Sequence, residues 1–237
     1  RAVRTNSESV MSVLLPEDQE TWRDVAASSR VIIDGNTQVE FLTYGRDGNL
    51  MRLFFTVLAA GSTHSERVRS WSRVAVQQPG QLARTLRGAT WSRRTVMMLV
   101  MQPLDNSLTF TTVKRRLGRG WRLVTQTDPD RPAPVALRTA HEVARWLARE
   151  TGGIAQASVF EALGDRVFTA HVLGGAAIGP DPRSGVVDEN QVVFGYVNML
   201  VTDASALPAN PGVNPALTIT ALAEHALAQV PSNRSQA

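Results

Sequence analysis

An asparagine followed directly by a proline, Asn214-Pro215, is the strongest structural signal in the chain. Proline loses nothing at a first helical position, where its missing N–H has no partner to serve and its φ is already near helical, and asparagine is a natural cap before it. The apolar stretch that follows, as far as Val230, therefore reads as a helix whose N-terminus is aimed by the Gly212-Val213 turn. Backbone donors and the positive end of the helix dipole converge at such a point and favour an anion or a developing negative charge. Upstream, from His171 on, short apolar runs alternate with turn residues. The run 198–202 reads as a buried strand ending at the Asp203-Ala204-Ser205 turn.

The rest of the chain divides into strands and helices. Thr5-Asn6-Ser7-Glu8 offers capping residues and a turn, and residues 30–33 and 37–44 read as two strands around Gly35-Asn36. The run 50–59 is continuous enough for a strand buried on both faces. Apolar spacing between 65 and 87 gives two short helices interrupted at Pro79-Gly80. Residues 95–101, 107–113 and 121–124 read as an antiparallel meander. An amphipathic helix is expected over 135–150, stopped by Gly152-Gly153, and a disordered tail over 231–237. Strands followed by helices indicate an α+β layer.

With 237 residues and 43% hydrophobic content the chain can bury a sizeable core, as one large domain or two small ones. No apolar run approaches the ~20 residues needed to span a bilayer. The absence of cysteine removes disulfides and thiolate chemistry, and no histidine pair has metal-ligand spacing, so no metal is expected. The net charge of +4 is carried almost wholly by arginine, Lys114 being the single lysine. So small an excess, without aromatic interleaving, argues against nucleic acid as a partner. Lys114, Arg115, Arg116, Arg119 and Arg122 cluster around a Gly-rich turn that reads as a solvated hairpin tip, with peripheral contact to an anionic membrane surface as the alternative. The compartment stays open between a soluble, cytoplasmic protein and one peripheral to a membrane. The chain opens at Arg1 rather than Met, so its natural start is expected upstream.

His64, His141 and His225 fall in or beside helical segments and read as surface or capping residues. His171 is set differently, ahead of Leu173-Gly174-Gly175, where paired glycines allow backbone to approach another group closely. It is the candidate base.

Three segments, in order, carry a family resemblance: His-Val-Leu-Gly-Gly at 171–175, Val-Thr-Asp-Ala-Ser at 201–205, and Gly-Val-Asn-Pro-Ala-Leu-Thr-Ile-Thr-Ala-Leu-Ala-Glu at 212–224. Together they resemble the C-terminal part of the glucose-methanol-choline (GMC) flavin oxidoreductases, particularly the bacterial cholesterol-oxidase-like branch. The likeness extends upstream through 100–110 to Arg-Thr-Asn-Ser-Glu-Ser at 4–9. It implies an antiparallel substrate-domain sheet with covering helices over 1–170, and a segment, 171–230, that completes an FAD-binding α/β domain. It also implies oxidation of a lipophilic alcohol, most simply a sterol 3-hydroxyl, with FAD as cofactor, His171 as base and Asn214 as its companion. Asp203, Ala204, Asn214, Pro215 and Ala216 would then lie along the cofactor.

Two departures qualify that expectation. The G-x-G-x-x-G phosphate fingerprint is absent from every glycine, so the chain lacks the phosphate-binding half of an FAD site and needs an N-terminal Rossmann portion, in the same protein or a separate chain. A binding or regulatory subunit without turnover is the alternative. The second departure is that Trp91-Ser92-Arg93-Arg94-Thr95, where the branch would place a carboxylate for moving a steroid double bond, contains none, and arginine cannot shuttle a proton at neutral pH. Oxidation without isomerisation is the expectation.

Overall fold

The computed structural model describes residues 3–23, 25–115 and 118–231. The strands in chain order are β1 (Val3–Thr5), β2 (Glu8–Leu14), β3 (Ala27–Ile32), β4 (Gln38–Leu42), β5 (Phe55–Val57), β6 (Thr95–Met101), β7 (Leu108–Lys114), β8 (Trp121–Thr127), β9 (Ile154–Ser158) and β10 (Val172–Gly174). The α-helices are α1 (His64–Gln77), α2 (Pro79–Leu86), α3 (Arg138–Thr151), α4 (Val159–Ala162) and α5 (Ala216–Ala228). They fall into two compact units, one of Arg1–Ser7, Pro103–Ala133 and Ala170–Ala237, the other of Glu8–Gln102 and Pro134–Thr169.

The second unit is built on a six-stranded antiparallel sheet in the order β3-β4-β6-β2-β9-β5. Side chains alternate across a strand, so each ladder sorts its residues onto two faces. One face carries Met11, Val13, Val39, Met98 and Val100 against Leu137, Ala140 and Ala144 at the start of and along α3. The other carries Val10, Leu14, Met97, Leu99 and Met101 with Phe55 and Trp91. Fully burying side chains of this size contributes roughly 1.5–3 kcal/mol each. Thr63 opens α1 with a reciprocal capping box to Glu66, and Gly152 closes α3 in the left-handed conformation at φ 66°.

The first unit carries a four-stranded sheet in the order β10-β1-β7-β8, followed by a 3₁₀ turn at Ala204–Ala206 and α5. Both units mix antiparallel sheet with helix, as the α+β expectation requires.

Several local expectations are corrected. The meander is only a hairpin, β7–β8; β6 pairs with β2 and β4 in the other sheet, because Pro103, with no N–H to give a ladder, ends its path. The run 50–59 folds as a 3₁₀ helix, Asn49–Phe54, before the short β5. A continuous apolar run does not distinguish strand from helix, and here Leu50 at 73% exposure faces outward while Phe55 is buried. Thr5-Asn6-Ser7-Glu8 is not a helix cap but the tight junction between β1 and β2, with Ser7 at φ 46°. Residues 198–202 form no strand. Only an isolated bridge, Val192↔Leu200, touches them, and a strand requires a ladder. His141 is neither surface nor cap: it is buried against Glu161. The tail expected over 231–237 lies outside the described residues beyond Pro231, as does Arg116.

Candidate active site

All three motif segments lie in the first unit. The first becomes β10, whose ladder with β1 sets Val172 opposite Thr5, Leu173 opposite Arg4 and Gly174 opposite Val3. Gly174 and Gly175 then turn the chain at φ 72° and 102°, conformations that glycine adopts without strain. The turned chain meets the second segment, with Ala176 N–H donating to Ser205 O at 3.0 Å and Ile178 N–H to Ala206 O at 3.0 Å.

Asp203 starts the 3₁₀ turn in the second segment. Its Oδ1 accepts from the Ser205 hydroxyl and, at 2.8 Å, from Ser205 N–H. The hydroxyl first and the N–H second hold the Asp203 carboxyl below its ordinary value. Stabilisation of this kind is present above the unfolded pKa and is lost as pH falls through the depressed folded one. Ser205→Ala is expected to raise the Asp203 midpoint toward the ordinary carboxylate range in a ¹³C carboxyl titration; an unmoved midpoint would exclude the serine as its cause.

The third segment is held from both sides. Asn210 Oδ1 accepts from Gly212 N–H at 2.7 Å and its Nδ2 donates to Leu104 O at 3.0 Å. Gly212 sits at φ 66° so close to Pro103 that a Cβ would lie 2.8 Å from the proline Cβ. Asn6 Nδ2 donates to Val213 O at 2.7 Å. Buried Asn106 fixes the strand junction beneath, accepting from Thr5 N–H at 2.9 Å and donating to Thr5 O and Ser7 Oγ, both at 2.8 Å.

The backbones of His171 and Asn214 each adjoin a residue held by the dipeptide Thr5-Asn6. His171 precedes the residue paired with Thr5, and Asn214 follows the residue held by Asn6. Both side chains are half-buried. Asn6, Asn106 and Asn210 are the amides that do the holding; Asn6 lies in the 4–9 likeness and Asn106 in the 100–110 likeness, while Asn210 carried no signal in the sequence.

The helix begins one residue later than expected. Pro215 occupies the cap position at φ −82°, ψ −4°, Ala216 is the first helical residue, and no side chain, Asn214 included, caps α5. An uncapped helix leaves its first N–H groups without intrahelical acceptors. That donor set fits a polar, electron-accepting ring oxygen, the chemistry of a flavin edge. Among the described residues no cluster of three or more His, Asp or Glu could hold a metal ion. Among the described residues no helix is long and apolar enough to cross a membrane.

Two carboxylates stand beside β6 in the six-stranded sheet. Glu40 of β4 stands opposite Leu99, and Glu8 of β2 opposite Met101, all on one face. Both come from strands distant in sequence.

Residues 120–223 match the family model of the GMC oxidoreductases, in its C-terminal domain. The chain is similar to the C-terminal portion of proteins of that family. Over 97% of its length it is 38% identical to a cholesterol oxidase of Mycobacterium tuberculosis, and over 98% it is 34% identical to a cholesterol oxidase of Acinetobacter baumannii. It spans 40% and 42% of those two proteins. Among solved structures it is similar to pyridoxine 4-oxidase from Mesorbium loti, with a TM-score of 0.49 and 14% identity, covering 96% of this chain and 42% of that one.

Proposed function

We propose that the chain is the C-terminal part of an FAD-dependent alcohol oxidoreductase acting on a sterol 3-hydroxyl or another bulky lipophilic alcohol. The observation that supports this reading is the backbone placement of His171 and Asn214 next to the partners of Thr5-Asn6, beside a helix N-terminus with no side-chain cap. His171 accepts the hydroxyl proton at an imidazole nitrogen, as a general base. Asn214 orients the same oxygen through a neutral amide that adds no titrating charge. FAD, when bound, supplies the hydride acceptor. Asn214, Pro215 and Ala216 would hold its flavin side, and Asp203 and Ala204 its ribityl-phosphate side.

In this assignment 171–230 completes the FAD-binding domain and the bulk of 1–170 forms the substrate domain. The strands of Arg1–Ser7 and Pro103–Ala133 group with the site, so we place them with the FAD-binding part. The phosphates would be bound by an N-terminal Rossmann portion. A lipophilic substrate also suits peripheral contact with a membrane surface, toward which the basic β7–β8 hairpin offers Lys114 and Arg122 beside exposed Trp121.

Flavin retention tests the reading. The chain alone is expected to elute colourless after incubation with FAD, and to retain yellow flavin once combined with an N-terminal GMC portion carrying the fingerprint. Stoichiometric FAD on the chain by itself would sink the proposal. A complex that holds FAD yet oxidises no alcohol would identify a binding or regulatory subunit of the same fold.

A further inference from the structure

Outside the candidate active site, the second unit holds a cavity of about 350 Å³. One wall is the Gly61-Ser62 backbone, and the other is Arg138, His141 and Arg145, spaced by three and four residues along one face of α3. No carboxylate lines it. Arg138 is ion-paired with Glu142 at 3.0 Å, whereas half-buried Arg145 has no ion-pair partner among the described residues. His141 is 4% exposed, and its Nε2 lies 2.5 Å from Oε1 of Glu161, which is itself 2% exposed. Arg67 braces this pair against the wall, donating from Nε to Glu161 O at 3.0 Å and from Nη1 to Ser62 O at 3.3 Å. With Nε2 committed to Glu161, Nδ1 is the ring nitrogen left for the cavity.

We propose that this cavity binds the phosphate group of a small phosphorylated molecule. The Arg145 guanidinium offers a planar fork matched to two phosphate oxygens. Nδ1 can bond the same group in either protonation state, accepting from a P–OH when the ring is neutral and donating to a P–O⁻ when it carries a second proton. A carboxylate or sulfate has no O–H to give and can use only the second state. The volume exceeds that of a bare oxyanion and leaves room for an organic remainder.

The test is titration of the ¹⁵N-histidine-labelled chain with inorganic phosphate at constant ionic strength, following the His141 ring. Saturation at about 1 mM or below is expected. Arg145→Met should weaken binding about tenfold or more, since a lost charge-assisted pair is worth at least that. Arg183→Met, a change in the other unit, should leave it unaltered, and sulfate and acetate should bind more weakly. A linear drift without saturation, an unchanged affinity in Arg145→Met, or acetate or sulfate matching phosphate would overturn the proposal. Stronger retention on phosphatidic acid vesicles than on glycerol phosphate would overturn the assignment to a free small molecule.

Discussion

Replacing His171 by alanine, in the protein assembled with its N-terminal portion, is expected to lower alcohol turnover by about 10²- to 10⁴-fold, the range for a lost general base. Flavin content should hardly change. The ladder that builds this part of the site starts at Val172, so the substitution leaves the β1–β10 pairing and the Asn6 anchor in place. Added imidazole should restore part of the rate, which a purely structural role for the ring would not allow. Near-normal turnover in His171→Ala, with flavin retained, would take the residue out of the mechanism.

What could be read in the sequence, and what could not, follows from the range of the interactions. Local signals transferred well. Pro79-Gly80 separates α1 from α2, Gly152 ends α3, and the β7–β8 hairpin forms around its Gly-rich turn. Each depends on backbone preferences within a few residues. The Asp181-Pro182-Arg183-Ser184 turn is of the same kind, with Asp181 Oδ1 accepting from Arg183 and Ser184 N–H at 2.8 and 3.0 Å.

Long-range pairing was hidden. β2 is buried at every residue and lies between β6 and β9, yet Glu-Ser-Val-Met-Ser-Val-Leu opens with residues that read as a turn. Its polar side chains are satisfied by partners far along the chain: Thr169 Oγ1 donates to Glu8, Ser12 Oγ to Gln156 Oε1 at 2.9 Å, and Leu137 N–H to Ser9 Oγ at 2.8 Å. Such residues look exposed until their partners are known. The anchors at Asn6, Asn106 and Asn210 were hidden for the same reason. His141 was misread because a buried histidine needs a buried carboxylate, and Glu161 supplies one from another helix.

Truncating Trp91 to alanine is expected to cost about 3–5 kcal/mol of unfolding free energy, the range for large aromatic deletions in a core. Trp91 is 1% exposed, and its ring centroid lies 5.5 Å from that of Phe55 and 6.0 Å from that of Tyr44. Its backbone oxygen also accepts from Thr95 Oγ1 at 2.6 Å, at the point where β6 begins. Deleting the ring opens a cavity against Phe55 and the Met97, Leu99 and Met101 face, and the ladder behind it limits collapse. The indole N–H has no acceptor among the described residues, and an unsatisfied buried donor costs about 1–3 kcal/mol. Trp91→Phe removes that donor along with part of the volume, so the two effects oppose each other and the net loss should stay below about 1.5 kcal/mol. Trp146 on α3, 51% exposed, serves as the control; its alanine variant should cost far less than Trp91→Ala. Urea unfolding with unchanged m-values measures all three. If Trp91→Phe proves as costly as Trp91→Ala, the indole N–H is bonded in solution; if Trp91→Ala is as mild as Trp146→Ala, the aromatic cluster does not hold this face of the sheet.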